Sequence, residues 1–209
     1  NICQKVSGAN IDDIAKTIGL DPRIGKLFLS AGPGYGGSCL PKDMKALINF
    51  ADNIGIKPTF LNEVEKTNQK QITNIICLIE KKIGNINKKR ITVLGTSFKP
   101  ETDDIRDSIS IKLIKKLLEK GAKVTVHDPK AIENTKKIFS DKIEYEKSII
   151  ESLTKSQCVI IMTQWEEYSK ITNNTIRKMD KRIIIDSRRI LVEKNIDADY
   201  EAIGIGNSK

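Results

Sequence analysis

Four short β-branched runs in the second half of the chain restrict its fold more than any other feature. They are Arg90–Gly95 (RITVLG), Lys123–Asp128 (KVTVHD), Cys158–Thr163 (CVIIMT) and Arg182–Asp186 (RIIID). Runs of this length, rich in Val and Ile, read as buried strands. The segments between them have helical periodicity, most clearly Ser108–Lys120, which stops at Gly121. Strands alternating with helices predict a parallel, doubly wound sheet. The ligands of such sheets sit beyond the carboxyl ends of the strands.

The first half follows a different period. Asn1–Ser7 reads as the tail of a helix, stopped by Gly8; the opening without Met suggests a fragment, a trimmed chain or a split gene. Asn10 is a favourable N-cap, with Asp12 and Asp13 in the first turn, where the helix dipole favours them. Ile11, Ile14 and Ile18 then share one face, and Gly19 ends the helix. After a glycine-rich loop at Gly32–Gly37, Leu47, Phe50, Ala51 and Ile54 form the stripe of a second helix. Pro58 precedes a long helix over Thr59–Ile83, about 37 Å at ~1.5 Å per residue. Its stripe is Leu61, Val64, Asn68, Ile72, Ile75, Ile79 and Ile83, with Asn68 the one polar break. The chain is therefore α/β in class, with a helical unit over 1–87 and a Rossmann-like parallel-sheet unit over 88–209.

Charge excludes little. The 209 residues carry 36 Lys+Arg against 27 Asp+Glu, a net +9. Basic and acidic residues are interleaved, as in Glu63–Lys70, which fits solvated helix faces and a polyanionic small substrate better than nucleic acid. The four cysteines, Cys3, Cys39, Cys77 and Cys158, form no close pair, and His127 is the only histidine, so no metal site is expected. No apolar run approaches the ~18 residues of a membrane span. The expectation is a cytoplasmic protein with free thiols. Cys77 and Cys158 lie in apolar runs and are read as core. His127 is read as a strand-end residue, and Trp165 as packing the start of a short helix.

Cys39 is the residue with the most chemical promise. Pro41 favours the first helical position, so a helix should begin there, with Cys39 just outside it. Free backbone N–H groups, the positive dipole end and the neighbouring Lys42 are conditions that lower a thiol pKa. The preceding glycines let backbone approach a ligand closely. A structural cysteine beside a turn would satisfy the same pattern.

Asp21–Asp43, DPRIGKLFLSAGPGYGGSCLPKD, resembles the active-site loop of the UDP-glucose/GDP-mannose dehydrogenase family, with GYGGSCLPKD its most specific part. Val93–Ser108 (VLGTSFKPETDDIRDS), Met162–Tyr168 (MTQWEEY) and Ile184–Leu191 (IIDSRRIL) are also similar, in the same order. The resemblance spans essentially the whole chain and corresponds to that family's central, dimer-forming helical domain and its C-terminal domain. It implies an NAD-dependent, two-step oxidation of a nucleotide-sugar 6-hydroxyl to the uronate, UDP-glucose to UDP-glucuronate, through a cysteine thioester. It implies that Cys39 is the nucleophile, flanked by Lys42, and that Asp43 assists water. Phe28, Leu29, Ser30, Tyr35, Gly36, Gly37 and Ser38 would contact the sugar nucleotide. Phe98 and Lys99 would lie near the sugar, and Arg106 would reach the cofactor NAD. Arg188 would contact substrate, with Arg189 beside it as the competing assignment. Arg23 would reach a neighbouring subunit's site in a homodimer or higher homo-oligomer.

The family's N-terminal Rossmann domain and its GxGxxG fingerprint do not occur in this sequence. Gly95-Thr96-Ser97-Phe98 follows a strand without matching it, and Gly204-Ile205-Gly206 reads as strand end and tail. The lysine and asparagine that stabilise the substrate oxyanion in the family would also lie upstream. The rival readings are a GDP-mannose 6-dehydrogenase, which shares GGSCLPKD, and a non-catalytic nucleotide-sugar-binding or dimerisation fragment.

Overall fold

The computed structural model describes residues 1–206. A turn of 3-10 helix at Cys3–Lys5 leads to α1 (Ile11–Ile18), α2 (Leu40–Asn53) and α3 (Thr59–Ile83). The chain then alternates: β1 (Arg90–Leu94), α4 (Ile109–Glu119), β2 (Lys123–His127), α5 (Ile132–Phe139), β3 (Glu144–Tyr145), α6 (Ile149–Leu153), β4 (Cys158–Ile161), α7 (Asn173–Ile176), β5 (Ile183–Asp186) and β6 (Asp199–Ala202). All pairings are parallel, in the order β3-β2-β1-β4-β5-β6. This is the doubly wound order, with its switch point between β1 and β4.

The strands alternate between two cores, as a sheet covered on both faces requires. Ile91 and Val93 of β1 and Cys158 and Ile160 of β4 pack on the face covered by α4 and the second half of α3. Leu94, Val159 and Ile161 point to the other core, with Trp165, Tyr168 and Ile176. Ile75, Ile76, Ile79 and Ile83 of α3 are buried against this chain's own sheet. The long apolar stripe thus serves one chain over its second half. Two strands lie outside the four β-branched runs. β3 has only two residues, and β6 (DYEA) is mostly polar, so neither carries the pattern.

Two seams tie the helical unit to the sheet. Gly8 and Ile11 donate their N–H groups to Gly206 and Gly204, and Gly206 donates to Ala9. Arg189 bridges three elements: Nε donates to Asp12 of α1 at 2.8 Å, Nη1 to the Ile203 carbonyl and Nη2 to the Ala31 carbonyl.

No helix among the described residues is long and apolar enough to cross a membrane.

Candidate active site

Cys39 caps the start of α2, one residue earlier than the proline rule suggests: Leu40 is the first helical residue and Pro41 follows. The thiol is exposed, 3.6 Å from Ser38 Oγ. Asp43 lies one turn on and donates its N–H to the Cys39 carbonyl at 2.8 Å, so thiol and carboxylate share one side of the helix start. Lys42 pairs with Asp43 at 3.4 Å; both are exposed. Cys158 is fully buried in β4, which pushes its thiol up to about 12. Cys3 is buried as well. Cys77 is exposed on α3, a correction to its reading as core. Its neighbours in sequence are apolar, but the buried face of α3 is formed by Ile75, Ile76, Ile79 and Ile83.

The loop before Cys39 is wedged against the carboxyl edge of the sheet, and its glycines are what let it fit. A Cβ on Gly32 would stand 2.6 Å from Arg188 Nη1, and one on Gly36 would stand 2.4 Å from the Asp107 carbonyl. One on Gly37, where φ is +89°, would lie 2.7 Å from the Phe98 ring. Gly37 also donates its N–H to the Arg106 carbonyl at 3.1 Å. Between loop and sheet edge, Pro33, Gly34, Phe98, Ile109, Met162 and Arg188 enclose only about 10 Å³, the space of one water. From the other side α3 holds the loop: Asn68 bonds to both backbone groups of Tyr35, and the Tyr35 hydroxyl donates to Glu65 at 3.0 Å. Burial, with Glu65 beside it, raises that hydroxyl to about 12.

The switch-point loop carries Phe98 and Lys99. Its anchor is Asp128, buried at the end of β2. Asp128 accepts from the N–H groups of Thr96 and Ser97, the Ser97 hydroxyl and Trp165 Nε1 on one oxygen, and from the N–H groups of Lys130 and Ala131 on the other. In dinucleotide-binding sheets an acidic residue after β2 holds a ribose hydroxyl. Here that acceptor is saturated from within, and no fingerprint loop precedes it. The residues of this sheet therefore do not fit NAD at its switch point. His127, one residue earlier, is buried against the Tyr168 ring and hydroxyl. Burial holds its imidazole below the ordinary histidine range, opposed by Glu167. Trp165 is buried at the start of a 3-10 turn, Glu166–Lys170.

The arginines divide into three kinds. Arg188 Nε donates to the Met162 carbonyl at 2.9 Å, which aims the guanidinium at Gly32 under the loop. Burial and the like charge of Arg189 push it down to about 10. Arg189 is consumed by the interunit seam. Arg23 and Arg106 are outward-facing, each forked by an aspartate two residues earlier, at 2.6 Å to Asp21 and 2.7 Å to Asp104. Asp104 above all keeps Arg106 above its ordinary range, with a smaller contribution from Cys39. Lys99 is exposed, its ammonium 5.5 Å from the Phe98 ring centroid. Phe28 is 95% exposed at φ +63°, and Leu29 and Ser30 follow it on the outer stretch. The structure thus gathers Tyr35–Cys39, Phe98, Arg106 and Arg188 around one loop and leaves Arg23 and Phe28 facing solvent. Asn68, Glu65, Asp104 and Asp107 complete the arrangement. The D-x-R spacing marks the two forks in the sequence; Asn68 shows there only as a polar break in the stripe.

Residues 1–70 match the central domain of the UDP-glucose/GDP-mannose dehydrogenase family, and residues 92–193 match its UDP binding domain. The chain belongs to this family. A UDP-glucose 6-dehydrogenase of Haloferax volcanii is 40% identical over 97% of this chain and 46% of that protein. One from Rickettsia prowazekii is 39% identical over 98% of this chain and 48% of that protein. Among solved structures, a UDP-glucose dehydrogenase from Pyrobaculum islandicum superimposes with a TM-score of 0.88 at 30% identity, covering 98% of this chain and 46% of that one. The chain spans about half the length of these relatives.

Proposed function

We propose that this chain is the catalytic-cysteine half of a cytoplasmic, homo-oligomeric nucleotide-sugar 6-dehydrogenase that turns UDP-glucose into UDP-glucuronate. The observation that carries this reading is the exposed Cys39 thiol at a helix start, on a loop packed against the carboxyl edge of a doubly wound sheet. Cys39 Sγ bonds to the C6 aldehyde carbon of the half-oxidised sugar. Loss of hydride and a proton from that adduct leaves a thioester. Water then cleaves the C–S bond, giving the uronate and the free thiol, with Asp43 placed to take the proton from water. NAD, when bound, would supply the hydride acceptor for both oxidations. Arg188 contacts the nucleotide sugar, Lys99 approaches the sugar, and Arg106 reaches toward the cofactor.

Site-by-site alkylation near neutral pH tests the assignment. Cys39 should react faster than the other exposed thiol, Cys77, and UDP-glucose should protect it more than GDP-mannose does. Equal rates at the two thiols would remove the nucleophile from this reading, and stronger protection by the guanine nucleotide would favour GDP-mannose as substrate. In a protein that also carries the NAD-binding half, Cys39→Ser should end net uronate formation.

A further inference from the structure

We propose that Asn68 is a positioning residue, which fixes the Cys39 loop in register with the sheet edge through α3. This inference rests on Cys39 being the reacting thiol. Asn68 interrupts the apolar stripe of α3 and is 7% exposed. Its amide is spent on one residue: Oδ1 accepts the Tyr35 N–H at 2.8 Å, and Nδ2 donates to the Tyr35 carbonyl at 3.0 Å. Only a primary amide of this length does both at once. Aspartate has no donor and would set its charge against a carbonyl, and an apolar residue would leave two backbone groups without partners.

Two further observations place the loop on this side chain. A Cβ on Gly34, at φ +118°, would lie 2.5 Å from Asn68 Oδ1, so the backbone is drawn in as far as glycine permits. Glu65, one turn before Asn68 on the same helix face, takes the Tyr35 hydroxyl. Tyr35 is therefore gripped through both its backbone and its side chain. Beyond it, Gly36 and Gly37 rest on Asp107, Arg106 and Phe98, and the thiol follows at Cys39. The second half of α3 is buried in the sheet. The helix is thus a fixed reference, and Asn68 transfers that reference to the thiol.

The test uses the 209-residue chain and compares Cys39 with Cys77, which sits on α3 itself. In Asn68→Leu, which removes both of these partners, exchange of the Tyr35 amide should accelerate by roughly tenfold or more, the scale of a lost clamp. Cys39 alkylation, and its protection by UDP-glucose, should shift while Cys77 keeps its rate. Gly34→Ala, whose Cβ would press on Asn68 Oδ1 while the sequence of α3 stays as it is, should give the same pattern, and it serves if Asn68→Leu does not fold. A folded variant with unchanged Tyr35 exchange and unchanged Cys39 reactivity overturns the proposal. So does a parallel change at Cys39 and Cys77 that follows the melting temperature, since that marks general loosening. If UDP-glucose protects Cys39 in neither parent nor variant, the substrate reading fails instead, and exchange and intrinsic alkylation still decide the role of Asn68.

Discussion

Adjacent arginines in one sequence motif do different work. Arg189 spends its guanidinium on Asp12, Ile203 and Ala31, whereas Arg188 anchors only Nε and turns its terminal nitrogens under the loop. Truncating each to alanine should separate stability from binding. Arg189→Ala breaks three bonds from a buried charge across a seam and should cost about 2–3 kcal/mol in urea unfolding. Arg188→Ala should unfold at nearly the parent midpoint but bind UDP roughly tenfold or more weakly by calorimetry. If the two phenotypes are exchanged, Arg189 is the ligand arginine. Nothing in Asp-Ser-Arg-Arg separates the pair, because the partners of Arg189 lie 177, 14 and 158 residues away and only the fold brings them to it. Cys39 was legible because helix start, proline and glycines are local signals. Asn68 and Asp128 were not, because their partners lie 33 and about that many residues away, and only the fold brings them together.

At the scale of elements, α3 is two helices in function. The spacing of its stripe and its flanking Pro58 and Gly84 fix its bounds from sequence, Thr59–Ile83. Periodicity does not reveal what covers the stripe. Ile79 is fully buried in the sheet core, while Phe60, on the first turn, is 78% exposed. Ile79→Ala should therefore destabilise by about 2–5 kcal/mol, through lost burial and the cavity it leaves. Phe60→Ala should stay within about 0.5 kcal/mol in the monomeric chain. Matched urea titrations check both; equal costs would mean that the first turns of α3 are packed as tightly as the last. The same limit explains the missed strands. A buried strand announces itself by β-branched residues on both faces, as β1, β4 and β5 do. The edge strands β3 and β6 are short and polar because one flank of each is open.

For the whole molecule, the distribution of apolar surface argues for association. Fourteen of the seventeen exposed large hydrophobics among the described residues fall within the first 60, including Ile14, Ile18, Leu47, Phe50, Ile54 and Phe60. The sheet unit contributes only Ile138, Ile150 and Val192. An open groove of about 500 Å³ runs beside the first half of α3, lined by Phe60, Val64 and Thr67 on the helix and by Gly32 and Tyr35 on the loop. Apolar surface concentrated in this way marks an association face. Asn68 is already paired with Tyr35 and is not available to a copy of itself, so contact would run along α1, α2 and the first turns of α3. We expect the chain to form dimers at tens of micromolar in sedimentation velocity, and Phe50→Glu to shift the population toward monomer with an unchanged circular dichroism spectrum. A strict monomer at those concentrations ends the idea. Arg23 supplies a sharper test of how such a contact serves the site. Its guanidinium is forked by Asp21 and 87% exposed, which fixes its direction at small entropic cost and leaves it facing outward. In a protein that also carries the NAD-binding half, mixing Arg23→Ala with Cys39→Ser subunits should restore part of the lost activity, because some mixed sites draw Arg23 from one chain and Cys39 from the other. Mixed oligomers that form and remain inactive would show that Arg23 acts within its own chain or not at all.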